Sequence, residues 1–161
     1  MLAEKQIRYV VAGGVAVVLH GVPRVTMDLD IIVYLEEKNV LAFIRGMTEI
    51  GFLPKAPVKA EEFSDPVKRK QWIREKGMKV FSFYHPKEAM SLVDVFVEEP
   101  IEFSKLHTER VVVNIEGVPI SVISKRHLKQ LKADAGRPED IADIKALREL
   151  DRIEKDHEKG I

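Results

Sequence analysis

Asp28 and Asp30 sit two residues apart at the head of an apolar run that ends Ile31-Ile32-Val33, and thirteen residues separate them from a Gly13-Gly14 pair. Residues i and i+2 of a strand project from the same face, so the spacing predicts two neighbouring carboxylates. Adjacent carboxylates repel unless a cation lies between them. Upstream, the apolar stretch Tyr9 to Ala12 runs into the glycines and reads as a strand that turns sharply into a short helix. A Gly-rich turn at a helix N-terminus suits phosphate, and a divalent cation beside it suits chemistry on a nucleoside triphosphate.

A third carboxylate, Asp94, lies between Leu92-Val93 and Val95-Phe96-Val97. A lone aspartate inside an apolar strand is costly unless it is paired, hydrogen-bonded or bound to metal. Three strand carboxylates suffice for two Mg2+ ions, with Mn2+ as an alternative, and such a pair stabilises both oxygens of an in-line displacement at an α-phosphate. Asp94 is then also the candidate base for an acceptor hydroxyl.

The elements that would position these groups follow from periodicity and punctuation. Met1–Gln6 is expected as a helical stub, Arg8–Ala12 as a buried strand, Val15–His20 as a short helix and Met27–Leu35 as the strand bearing the aspartates. A helix over Asn39–Ile50 ends at Gly51. Phe52–Ala60 reads as loop, and Glu61–Lys76 as an irregular, partly helical insertion carrying Trp72. Strands follow at Met78–Tyr84 and Ser91–Val97, then a short helix at Glu102–Thr108. Val111–Ile115 and Val118–Ile123 flank Glu116-Gly117 as a hairpin. Ser124 caps a helix that ends at Gly136, and Pro138 opens a last helix whose core face is Ile141, Ile144, Leu147 and Leu150. The fold class is α/β (α+β): a mixed sheet packed with helices and closed by a C-terminal helical pair. Residues 1–150 form one domain, and the charged segment 151–161 is expected to fray.

Composition narrows the classes. With 161 residues the chain can bury one substantial core. Lys plus Arg and Asp plus Glu number 26 each, so overall charge does not drive nucleic-acid binding. Cysteine is absent, which excludes disulfides and thiolate metal sites. The longest apolar run, Val15–Leu19, is far short of a membrane span. No signal-peptide pattern opens the chain, and a cytoplasmic location is the expectation.

The string Gly13-Gly14, then Asp28-Leu29-Asp30, then Asp94 on a later strand resembles the nucleotidyltransferase superfamily of DNA polymerase β type. The fuller pattern, with His20-Gly21, Arg24 and Thr26 before the aspartates and Lys132, Gly136-Arg137-Pro138, Asp140 and Asp143 near the end, looks like the AbiEii/AbiGii toxin branch. The resemblance spans about Arg8 to Leu150. It implies Mg2+-dependent transfer of a nucleoside monophosphate from an NTP to an acceptor hydroxyl, on tRNA, a protein or a small molecule. It also implies a toxin role opposite an antitoxin protein. By the match, Asp28, Asp30 and Asp94 are metal ligands, and Gly13, Gly14, Arg24, Thr26, Lys132 and Arg137 bind nucleotide. Gly14 stands where many relatives carry serine, so a hydroxyl contact to the γ-phosphate is missing. The chain is also short beside the larger toxins, which carry an added helical region.

Plainer readings stand beside these. A catalytically degenerate module that binds nucleotide or a partner is the alternative to an enzyme. His20 reads as a structural histidine at a helix end. Lys132 borders the buried face of its helix, and Arg137 has Asp140 or Asp143 in reach as a partner. Asp94 has Arg24 or Lys79 as candidate partners. Trp72, Phe81, Phe83 and Tyr84 read as core. The basic cluster Lys68-Arg69-Lys70, Arg74 and Lys76 reads as a solvated face, with an RNA- or partner-contacting insertion as the sharper alternative.

Overall fold

A computed structural model of the chain describes residues 2–160. A seven-stranded mixed sheet in the order β3-β4-β5-β2-β1-β7-β6 forms its frame. The strands are β1 (Tyr9–Ala12), β2 (Asp28–Val33), β3 (Leu53–Pro54), β4 (Val80–His85), β5 (Glu88–Phe96), β6 (Val111–Ile115) and β7 (Val118–Val122). Pairs β2–β5 and β1–β7 are parallel, and the others are antiparallel. The helices are α1 (Gly13–Leu19), α2 (Glu37–Glu49), α3 (Pro66–Lys76), α4 (Phe103–Thr108), α5 (Lys125–Ala135) and α6 (Pro138–Lys159). No helix among the described residues is long and apolar enough to cross a membrane. The mixed sheet packed with helices matches the expected fold class.

Alternation along the central strands assigns the two sheet faces. Phe81 and Phe83 of β4 lie opposite Val95 and Val93 of β5, and Leu29 and Ile31 of β2 continue both rows. The Phe43 ring of α2 meets Phe83 edge-on, Phe63 stacks on Phe81 at 5.1 Å between centroids, and Trp72 of α3 stacks on the same ring. These contacts bury one face under α2, α3 and the 3-10 turn Ala60–Ser64 that precedes α3. The residues between them, Ser82, Tyr84, Leu92, Asp94, Asp28 and Asp30, therefore share the opposite face.

Several expectations are corrected. The insertion is ordered: Pro66 occupies the first turn of α3, Asp65 caps it by accepting from the Val67 amide, and Gly77 ends it with φ +58°. Its Arg69 is buried rather than solvated, and its guanidinium donates to the Phe63 and Ser64 carbonyls at 2.7 and 3.0 Å. Phe52–Ala60 contains β3, a two-residue strand paired to β4 at the sheet edge. Residues 2–6 form turns instead of a helical stub. α6 does not fray after Leu150. It runs to Lys159, where Asp151 takes ion pairs from Lys125 (2.9 Å) and Lys129 (2.5 Å) of α5. The core face of α6 is also shifted: Asp140, Asp143 and Leu147 are buried, while Ile141 is exposed. Tyr84, expected as core, is 39% exposed on the other face from the phenylalanines. Met1 and Ile161, the ends of two of these segments, lie outside the described residues.

Helix α5 begins at Ser124, whose Oγ accepts from the His127 amide, and stops at Gly136 with φ +65°. His20 caps the end of α1, and its Nε2 donates to the Ile123 carbonyl at 2.7 Å. Burial pushes its pKa down, so the ring serves as a neutral tie between α1 and the chain leaving β7. Phe63→Ala is expected to cost about 3–4 kcal/mol in urea unfolding, because the ring is fully buried between the insertion and β4. A cost under about 1 kcal/mol would show that the insertion is not part of the core.

Candidate functional site

Strand register brings two of the three aspartates side by side. In the parallel pair β2–β5, Asp30 lies opposite Asp94 and Asp28 lies opposite Leu92. Across the antiparallel pair β4–β5, Ser82 lies opposite Asp94 and Tyr84 opposite Leu92. One row of the exposed face therefore reads Ser82, Asp94, Asp30, Ala12, and the next reads Tyr84, Leu92, Asp28. The Ser82 hydroxyl donates to Asp94 Oδ1 at 2.5 Å. Neither Arg24 nor Lys79 is the partner in that bond. Ser82 escapes a motif search, although its place between two buried phenylalanines marks it as facing the other way.

Burial, and then the Asp94 and Asp28 carboxylates, push the Asp30 carboxyl up to about 6. Lys132 and Arg137 pull in the opposite direction. The Asp30 carboxylate lies directly over Gly13: a Cβ there would stand 1.9 Å from Asp30 Oδ2. Gly13 also holds φ +60°, which side chains resist. Gly14 is bare for a second reason. A Cβ there would meet Thr26 Oγ1 at 2.5 Å and the Arg24 guanidinium at 2.9 Å. The glycine pair thus makes room for Asp30 and for the segment leading into it.

Beside the aspartates runs a chain of charges. Arg24 donates to Asp143 Oδ2 at 2.7 Å, and Lys132 Nζ contacts the same oxygen at 2.7 Å and Asp140 Oδ1 at 3.0 Å. Arg137 Nε donates to Asp140 Oδ2 at 2.7 Å and a terminal guanidinium nitrogen to Asp140 Oδ1 at 3.2 Å, while the side chain as a whole stays 63% exposed. Burial works against the Asp140 carboxylate, yet hydrogen bonds from Arg137 and Lys132 hold it below the usual range. Lys132 is only 4% exposed, a stronger version of the half-buried placement its spacing indicates. The network joins the segment before β2 to both C-terminal helices. Its aspartates occupy the helix face where sequence periodicity places isoleucine and leucine.

Two clefts open on either side of the carboxylate row. The first, about 400 Å³, is lined by the cations Lys79, Lys132 and Arg137 and by the carboxylates Asp30, Glu98, Asp134 and Asp140, with Phe96, Leu128 and Leu131 as apolar walls. The second, about 520 Å³, is lined by Asp28 with Lys55, Tyr84, Met27, Met90, Ser91 and Leu92. Among the described residues, no three carboxylate, imidazole or thiol groups converge as a metal cage. The donor chemistry still fits a magnesium ion, which takes one or two carboxylates and completes its shell with phosphates and water. Asp30 and Asp94 would supply that pair, and their mutual repulsion is what a cation would relieve.

The raised carboxyl has a stability consequence. Stabilisation by the protonated form is complete below the unfolded value of 3.8 and is lost as the pH rises through about 6. Without metal, Asp30→Asn is expected to be more stable than the parent at neutral pH by up to about 3 kcal/mol, and the gain should vanish near pH 4. Thermal unfolding of both proteins across that range checks it. An equal or lower melting temperature for the variant at neutral pH would contradict the crowded-carboxylate picture.

The chain matches no protein-family model and no curated protein. Among solved structures it is similar to the lincosamide antibiotic adenylyltransferase LnuA in its lincomycin-bound form, with a TM-score of 0.61 at 17% identity over 92% of this chain and 90% of that one. It is also similar to an antigenic nucleotidyltransferase-like protein from Paracoccidioides brasiliensis, with a TM-score of 0.58 at 17% identity over 92% of this chain and 71% of that one. At such identity the likeness is one of fold alone, a nucleotidyltransferase-like fold.

Proposed function

We propose that the protein is a nucleotidyltransferase that moves a nucleoside monophosphate from an NTP to an acceptor hydroxyl. One observation carries the reading: Asp30 and Asp94 stand in register on the open face of a nucleotidyltransferase fold, beside a cleft with three cationic side chains. In the reaction, the acceptor oxygen attacks the α-phosphorus. The bond from that phosphorus to the α–β bridging oxygen breaks, pyrophosphate leaves, and the hydroxyl proton passes to a base.

Asp28, Asp30 and Asp94 are the residues that would hold Mg2+. When bound, the cation would neutralise phosphate charge and favour the hydroxyl as nucleophile. Asp94 is the candidate base, with its Ser82 hydrogen bond fixing the carboxylate rotamer. Arg137 and Lys79 can reach phosphate from the first cleft, and Lys132 adds positive potential there while ion-paired to Asp140 and Asp143. Arg24 and Thr26 act at one remove, packed against Gly14 and behind Asp28. Gly13 and Gly14 support the same reading by letting the carboxylate and the phosphates approach the backbone. The finer resemblance, to AbiEii/AbiGii toxins with a tRNA acceptor and an antitoxin partner, would add a biological role to this chemistry.

Incubation with each labelled NTP, Mg2+ and cell extract should label an acceptor. Asp94→Asn should reduce that transfer by at least about a hundredfold, the scale of losing a positioned base, with thermal stability retained. Transfer at the parent rate in the variant would remove Asp94 from the chemistry.

A further inference from the structure

The second cleft is distinct in chemistry from the first. Its floor is the row Tyr84, Leu92, Asp28, and this row lies two residues, about 7 Å, from the Asp94–Asp30 row. A molecule seated there would have its functional groups within reach of the aspartates. Met27 and Met90 line the cleft at 54% and 66% exposure, together with Tyr84 at 39%. Thioethers adapt to varied apolar shapes, and tyrosine offers a flat apolar face with a polar tip.

The number of cations separates the two clefts further. A triphosphate requires several cations, and the first cleft has Lys79, Lys132 and Arg137 among the carboxylates Asp30, Glu98, Asp134 and Asp140. The second has one cation, Lys55, and one carboxylate, Asp28. A nucleic-acid strand gains affinity by pairing many phosphates with lysine and arginine, and one lysine does not provide that. The volume of about 520 Å³ lies within the usual range for small-molecule sites.

Resting on the transfer reading above, we infer that the second cleft is the acceptor subsite, and that it takes a small hydroxyl-bearing molecule with an apolar body and at most one negative charge, not an RNA end. Tyr84, Met27 and Met90 hold the apolar body. Lys55 pairs with the single anionic group where one is present. Asp28 faces the hydroxylated end.

Isotope-labelled methionine methyl signals report on this cleft through Met27 and Met90. The probes are para-nitrophenyl β-glucoside, which is neutral, para-nitrophenyl β-glucuronide, which is a monoanion, and an octauridine RNA. Both glycosides should shift the Met27 and Met90 signals, with and without Mg2+ and NTP, and the glucuronide should bind a few-fold more tightly. Lys55→Met should erase that difference. Tyr84→Ala should weaken both glycosides by at least about fivefold, the loss of one aromatic contact, and leave Mg2+-dependent NTP binding intact. Octauridine should leave the two signals unmoved. Shifts with octauridine alone, no shift with either glycoside, or displacement of the glycosides by NTP would each overturn the assignment. Methionine shifts without any NTP binding would instead overturn the transfer reading, so the two failures are distinguishable.

Discussion

Everything at this site depends on two carboxylates being held together against their own repulsion. The parallel register of β2 and β5 sets Asp30 beside Asp94, and burial strengthens the repulsion between them. The rest of the fold keeps that pair from separating. On the covered face, Phe81, Phe83, Val93 and Val95 lock β4 to β5 under α2, α3 and the turn before it. On the open face, Ser82 fixes one carboxylate by a hydrogen bond, and Gly13 leaves the space the other occupies. The strands cannot shift by a residue without exchanging the two faces, so the apolar core and the site are specified by the same register.

The buried charge chain from Arg24 through Asp143, Lys132 and Asp140 to Arg137 gives this arrangement its second anchor. Such chains contribute little net stability, because desolvation offsets the attraction. Their effect here is geometric. They tie the segment before β2 to α5 and α6, and so fix how the first cleft faces Asp30. Lys132 and Arg137 also act at a distance, lowering the cost of an ionised Asp30. The clefts on the two sides of the carboxylate row then differ in how many cations line them, three against one.

Much of this is legible in the sequence, for reasons that local rules explain. The Asp28-Leu29-Asp30 alternation, the Gly-terminated α5 and the Glu116-Gly117 hairpin are set by neighbours within a few residues. What escaped notice depends on partners far along the chain. The 60–76 segment reads as a charged insertion because its composition is basic, yet Phe63 and Trp72 alone decide its place on β4. Spacing places Ile141 in the core, but the α6 face that meets α5 is occupied by Asp140 and Asp143 because Lys132 and Arg24 approach there. Asp151 likewise keeps the last turns of α6 helical through two lysines of α5. Among the site residues, Asp28, Asp30 and Asp94 were identifiable from spacing. Ser82 and Tyr84 were not, since their places on the open face follow from which strand pairs with which.

The central claim is that the Asp30–Asp94 pair exists to hold a cation against the phosphates of a nucleotide. A crystal structure with Mn2+ and a non-hydrolysable NTP tests it most directly, because manganese is located by its anomalous signal. The account predicts the ion between Asp30 and Asp94, with phosphate oxygens in its shell and the triphosphate in the cleft beside Lys132 and Arg137. Manganese bound elsewhere, or a nucleotide seated against Tyr84 and Met90 with the aspartates unligated, would contradict it.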